Sequence, residues 1–196
     1  MTKRAICDRC KRPLGVCYCH TLKQIHNPWP VHILQHPRES SHAIGTAAIA
    51  ALSLTRCRLQ IGEHFTRDSI AADVHNALLI YPGDDATELD TLCTDAPHTL
   101  IFLDASWRKS HRMLMESPDL QALPKVALQL MQPSRYRIRK ARYEASLSTL
   151  EAIVHTLAFL EHDEEKYLPL LNSMDWMIET QIRLMGENVF KRNYDK

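Results

Sequence analysis

Asp104 and Trp107 stand at the end of a short apolar run, Leu100 to Leu103. A continuous run of this length, stopped abruptly by a carboxylate, reads as a strand buried on both faces, as in a parallel sheet. A helical pattern follows at once, with Trp107, Met113 and Leu114 set among polar residues. Open α/β sheets bind ligands in the crevice outside the carboxyl ends of their strands. A carboxylate and the largest flat apolar side chain are therefore placed at a binding edge. The same two residues have a plainer reading, with Asp104 capping the helix and Trp107 packing in the core.

Four of the six cysteines lie in the first twenty residues, as Cys7, Cys10, Cys17 and Cys19, a C-x2-C-x6-C-x-C array. Thiolates at such short spacing can close a tetrahedral site around Zn²⁺, with Pro13 and Gly15 turning the chain between the pairs. Four protein ligands leave no open position, so the metal would be structural. Disulfides are the alternative, and they are rare in a reducing compartment. His20 could replace one cysteine. Cys57 and Cys93 stand alone and read as buried, inert thiols.

Arg135, Arg137, Arg139, Lys140 and Arg142 put five cations in eight residues without an acid, interleaved with Tyr136 and followed by Tyr143. Such a loop can grip phosphates and stack on exposed bases, or it can be a solvated face. Lys3, Arg4, Arg9, Lys11 and Arg12 surround the cysteines against only Asp8. Two basic patches on a chain of formal net charge +1 favour a folded RNA as partner. Tyr81-Pro82-Gly83 ends a strand with a fixed backbone followed by a residue that permits close approach. Ser148-Thr149-Leu150-Glu151 is a capping box, and a helix start also offers free N–H groups to an anion. His36-Pro37-Arg38-Glu39 sits at another strand end, where Arg38 and Glu39 could pair with each other. The remaining histidines are scattered and form no metal site.

The elements that must hold these residues follow from length and pattern. The 196 residues allow one medium domain and a small appendage; 45% hydrophobic and 24% charged content are ordinary for a globular protein. No stretch approaches a membrane span, and Met1 to Cys7 lacks the apolar core of a signal peptide, so a cytoplasmic location is expected. Asn27-Pro28-Trp29-Pro30 reads as a rigid linker, which divides the chain into a zinc knuckle (1–26) and a main domain (27–196). Strands are expected at Val31–Gln35, Arg56–Ile61, Ala77–Tyr81, the Leu100 run and Lys125–Leu130. Helices are expected at Ala43–Leu54, capped by Ser40 or Ser41, in the acidic stretch Asp84–Asp90, after Asp104, at Ser148–His162 and at Glu165–Met185. Strands alternating with helices imply an α/β fold, a mainly parallel sheet covered on both faces. Neither G-x-G-x-x-G nor G-x-x-x-x-G-K-[ST] is present, so dinucleotide and nucleoside-triphosphate readings lose their main support.

Asp104-Ala105-Ser106-Trp107, with Lys109 and Met113, resembles the Asp-x-Thr-Trp signature of the DTW-domain family, the tRNA-uridine aminocarboxypropyltransferases. Four further stretches agree in order: the amino-terminal cysteines, His36–Glu39 with Gly45-Thr46, Tyr81–Gly83, and Tyr136–Lys140 leading to Ser148–Glu151. The resemblance spans roughly residues 7 to 160, and Ser106 replaces the usual Thr. It implies a SPOUT-type fold with a carboxy-terminal knot, which pattern alone would not suggest. It implies S-adenosylmethionine as donor, held among Thr46, Tyr81, Pro82, Gly83, Ser106, Trp107, Ser148 and Thr149. Asp104 becomes the base or orienting group for N3 of a uridine, and methylthioadenosine leaves. Similar single-domain bacterial proteins modify the variable-loop uridine, position 47 of tRNA. Arg38, Lys109, Arg135, Arg137, Arg139 and Lys140 become the tRNA-facing cations. A SPOUT-type methyltransferase and a non-catalytic zinc-containing RNA-binding module are the alternatives, and a monomer is the default state.

Overall fold

The structure is a computed structural model, and it describes residues 4–40, 42, 44–70, 76–92, 94, 96–129, 134–136, 138 and 147–194. Six strands form one sheet: β1 (Val31–Gln35), β2 (Cys57–Ile61), β3 (Ala77–Ile80), β4 (Thr87–Glu88), β5 (Thr99–Asp104) and β6 (Lys125–Ala127). Their order is β2-β1-β5-β3-β6-β4, and every pairing is parallel. The helices are α1 (Pro37–Ser40), α2 (Ala47–Ser53), α3 (Arg67–Ile70), α4 (Trp107–Met115), α5 (Pro118–Gln121), α6 (Thr149–Glu161), α7 (Leu168–Met185) and α8 (Glu187–Tyr194).

β5 occupies the middle of the sheet, and its apolar run is divided between two cores because successive side chains point to opposite faces. Leu100 and Phe102 join Ile33, Leu78 and Ile80 beneath α2, α6 and α7. Ile101 joins Leu34 and Leu79 beneath α4 and α5. Both faces are covered, which is why the strand is apolar without alternation. The expected mainly parallel α/β architecture is therefore the one observed.

Several elements differ from the sequence reading. The helix expected from Ala43 begins at Ala47, because the preceding chain runs through a series of turns. In these Glu39 N–H donates to the His36 carbonyl, His42 N–H to Glu39, and Gly45 N–H to His42. Ser40 ends α1 instead of capping α2, while Ser41 and Ala43 lie outside the described residues. The acidic stretch is not a helix. Asp85 pairs with Lys125 at 2.6 Å, Thr87–Glu88 joins the sheet edge as β4, and only Leu89–Thr91 coils, as a 3-10 turn. β6 stops at Ala127, short of Leu130. The additional helix α8 follows Gly186, whose φ of +84° breaks the chain direction after α7. α6 starts and stops as expected: Ser148 caps it in a full capping box, and His162 in the left-handed region ends it.

Candidate active site

Asp104 is the last residue of β5, and its register partner on β1 is Gln35, also the last of its strand. Parallel pairing brings both side chains to one sheet edge. The Gln35 amide donates to Asp104 Oδ2 at 2.7 Å, and the Thr149 hydroxyl donates to Oδ1 at 2.5 Å. The Asp104 carbonyl accepts from His36 N–H at 3.0 Å. One donor thus comes from the sheet and the other from the start of α6. The capping reading of Asp104 does not hold, since Ser106 occupies the N-cap of α4 and makes no side-chain cap bond.

Trp107 is not a core residue either; 57% of it is exposed. Its indole stacks on Tyr81, ring centroids 5.4 Å apart and planes within 4°. Tyr81 is buried, its hydroxyl has no hydrogen-bond partner among the described residues, and burial pushes its phenol up from the usual value.

Two cavities meet at this edge. One, of about 280 Å³, is walled mainly by apolar side chains, among them Tyr81, Pro82, Leu103, Trp107 and Val126. The other, of about 400 Å³, is polar, with Arg38, Glu39, Thr46, Asp104, Ser106 and Lys109 on its wall. Ala105, Ser148 and Thr149 border both, so the start of α6 forms the partition between them. Gly83 lines neither; it makes the turn behind Pro82, where a Cβ would meet Asp85 Oδ1 at 2.9 Å.

The cations expected to face RNA have separate fates. Lys109 pairs with Glu39 at 2.8 Å, so Glu39 is tied to α4 and not to Arg38. Arg135 pairs with Asp175 on α7 at 3.3 Å. Arg137, Arg139 and Lys140, with Lys3, Cys93, Arg142 and Tyr143, lie outside the described residues. Cys57 is half-buried, and burial pushes its thiol up to about 12, as an inert thiol requires.

Three residues shape this site in ways the sequence does not disclose, and the first of them, Gln35, is not singled out there at all. Gln35 has no local signal, since its role depends on strand register. Glu151, buried in the capping box, also accepts from the Ser134 hydroxyl and from Arg135 N–H, so it fastens these two residues to the start of α6. Tyr136 reaches across the polar cavity and donates to the Ile44 carbonyl at 2.8 Å.

The sulfur atoms of Cys7, Cys10, Cys17 and Cys19 all lie within 4.8 Å of one another. Cys7–Cys19 and Cys10–Cys17 are each 3.7 Å apart, close enough for one metal ion to reach all four. Backbone N–H groups of Cys10 and Arg9 pull the Cys7 thiol down, while burial pushes Cys19 up. The cysteine segment is docked on the main domain: Arg9 donates to the Leu52 carbonyl at 3.2 Å, and Ser173 to the Thr21 carbonyl at 3.1 Å. Arg12, cradled over the Tyr18 ring at 5.0 Å, donates to the Gly45 carbonyl at 3.1 Å. Gly45 and Ile44 belong to the wall of the polar cavity, so that wall is held from one side by Arg12 and from the other by Tyr136.

The DTW domain model matches residues 4–182. A Drosophila melanogaster protein named tRNA-uridine aminocarboxypropyltransferase 2 is 33% identical over 193 residues, covering 92% of this chain and 76% of its own. A Mus musculus protein of the same name is 32% identical over 208 residues, covering 96% and 70%. An Arabidopsis thaliana protein, tRNA-uridine aminocarboxypropyltransferase A, is 25% identical over 211 residues, covering 88% and 80%. No solved structure gives a significant match. With its signature residues gathered at one sheet edge and a domain match over nearly its whole length, the chain belongs to the DTW domain family.

Proposed function

We propose that this protein transfers the 3-amino-3-carboxypropyl group of S-adenosylmethionine to N3 of a uridine in tRNA. The observation that carries the reading is the Asp104 carboxylate, held by Gln35 and Thr149 where an apolar cavity meets a polar one. The names of the relatives point the same way.

The two cavities suit the two halves of the donor. The flat Trp107–Tyr81 stack and the unpartnered Tyr81 hydroxyl suit a purine nucleoside, which is apolar on its faces and polar at its rim. The start of α6, with Thr46 opposite, suits an amino-acid carboxylate. When bound, the sulfonium supplies an electrophilic γ-carbon and a good leaving group. Asp104 then takes the N3 proton, N3 bonds to the γ-carbon, and the carbon–sulfur bond breaks with its electron pair on sulfur. Gln35 and Thr149 fix the carboxylate so that its lone pairs face the base, and this alignment is the protein's main contribution. Trp107 and Ser106 position the donor so that the γ-carbon, not the methyl, faces N3.

Zinc is the metal proposed for Cys7, Cys10, Cys17 and Cys19, since a closed tetrahedral set of four thiolates is a common structural zinc site. Residues 1–26 serve as a metal knuckle and 27–196 as the catalytic domain. The fully parallel sheet, with its site at the carboxyl ends of the strands, is compatible with a SPOUT-type fold; the knot is carried by the family resemblance alone. Among the described residues no helix is long and apolar enough to cross a membrane; a cytoplasmic location accords with four close free thiols. The test is transfer from S-adenosylmethionine labelled in its amino-acid chain to tRNA. Label in the tRNA with release of methylthioadenosine supports the reading. Release of S-adenosylhomocysteine with a methylated base would make the protein a methyltransferase, and no transfer at all would leave a binding module.

A further inference from the structure

A third cleft, of about 390 Å³, opens on the outer side of α4 and shares Arg38 and Lys109 with the polar cavity. Its charges do not cancel. On its wall four cations, Arg38, Arg108, Lys109 and Arg112, stand against Glu63 and Glu116; Glu63 lies 3.2 Å from His36 Nε2, and Glu116 pairs with Arg112 at 2.7 Å. Glu39, at the boundary, is taken by Lys109. That leaves the exposed guanidinium groups of Arg38 and Arg108, for which no ion pair is present among the described residues. Arg108 and Arg112 are four apart on α4 and so share one helix face.

We propose that this cleft seats the backbone phosphates of the RNA strand that carries the target uridine, with Arg108 and Arg38 as the gripping residues. The inference rests on the tRNA reading and adds the route by which the strand arrives. A uridine must leave its stack to bring N3 to Asp104, and RNA-reading proteins take single-stranded, splayed-out bases. A base entering the polar cavity leaves its phosphates at the mouth, and this cleft is continuous with that mouth through Arg38 and Lys109. Guanidinium forks match phosphate oxygens two at a time, which favours two arginines over lysines here. An acidic peptide would satisfy the charge but has no reason to lie beside the base pocket.

The experiment measures tRNA affinity at several salt concentrations for the parent, Arg108→Gln, Arg38→Gln and the double variant. Arg183→Gln, at an exposed arginine of α7 outside these clefts, is the control. Each removed arginine is expected to weaken tRNA binding about tenfold and to lower the salt slope by about one. The loss should fall on KM for tRNA, and Arg108→Lys should restore the slope and part of the affinity. S-adenosylmethionine affinity of Arg108→Gln without RNA should match the parent. Unchanged tRNA affinity and slope in the double variant would overturn the proposal, as would displacement of tRNA by an acidic peptide as readily as by a phosphodiester oligonucleotide. The function reading is judged separately, by product formation in the parent.

Discussion

Thr149 and Asp104, 45 positions apart, are joined by a hydrogen bond of 2.5 Å from the hydroxyl to the carboxylate. The Gln35 amide completes the clamp on the other oxygen. Asp104→Asn should keep the fold, because the Gln35 amide can turn its carbonyl toward the new NH₂ group. Turnover should fall by about 100- to 10,000-fold, the range for loss of a general base. Single-turnover transfer with melting curves on the same sample checks this. Normal turnover would remove the base assignment. Thr149→Val should act more mildly, costing about 10-fold, because it releases the carboxylate without neutralising it.

Trp107→Ala should spare the fold, since most of the ring is in solvent and its deletion leaves no buried void. S-adenosylmethionine binding should weaken about tenfold, the scale of one lost aromatic stack with its buried area. Calorimetric titration of the purified variant, without tRNA, is the measurement.

Metal analysis should find about one zinc per chain, and Cys7→Ser should abolish it. The consequence should reach the site, because Arg12 ties the cysteine segment to the Gly45 carbonyl on the polar cavity wall. Arg12→Met should therefore retain the zinc and still slow transfer several-fold. A variant with normal zinc and normal transfer would show that the wall stands without this bond.

Acid should destabilise the protein through His32. Its ring is buried in β1, Nδ1 bonds to the Ile70 carbonyl, and Nε2 has no partner among the described residues. Desolvation lowers its pKa from 6.5, with nearby Arg58 acting in the same sense. The unfolded chain then binds a proton before the folded one does. Stability from this group is complete above about pH 6.5 and is lost as pH falls toward the folded pKa. Denaturant midpoints between pH 7 and pH 5 should fall for the parent, and the slope should flatten in His32→Gln.

The chemistry-bearing residues were legible where local pattern determines them. The Leu100 run, the capping box of α6 and the cysteine spacing each translate directly into an element. What pattern could not reveal depends on distant segments. Gln35 becomes a partner of Asp104 only through the register of β1 against β5. Thr87–Glu88 has no strand signature and is a strand only because β6 lies beside it. Trp107 looks like core by composition, yet it is exposed because Tyr81 covers only one of its faces. Arg12 belongs to a basic cluster by sequence but points inward to a carbonyl.

The bonds that assemble the site join residues far apart in the chain: 69 positions for Gln35 to Asp104, 70 for Lys109 to Glu39, and 92 for Tyr136 to Ile44. Each requires a long loop to close before it returns any energy, and all-parallel sheets are slow to form for that reason. During synthesis the strand ends can align once β5 has emerged, but Asp104 lacks its second donor until α6 follows. A chain ending at residue 147 would contain all six strands of the sheet and no finished site. Donor binding is thus a property of the nearly complete polypeptide, and its appearance in a timed refolding experiment should mark one of the last folding events.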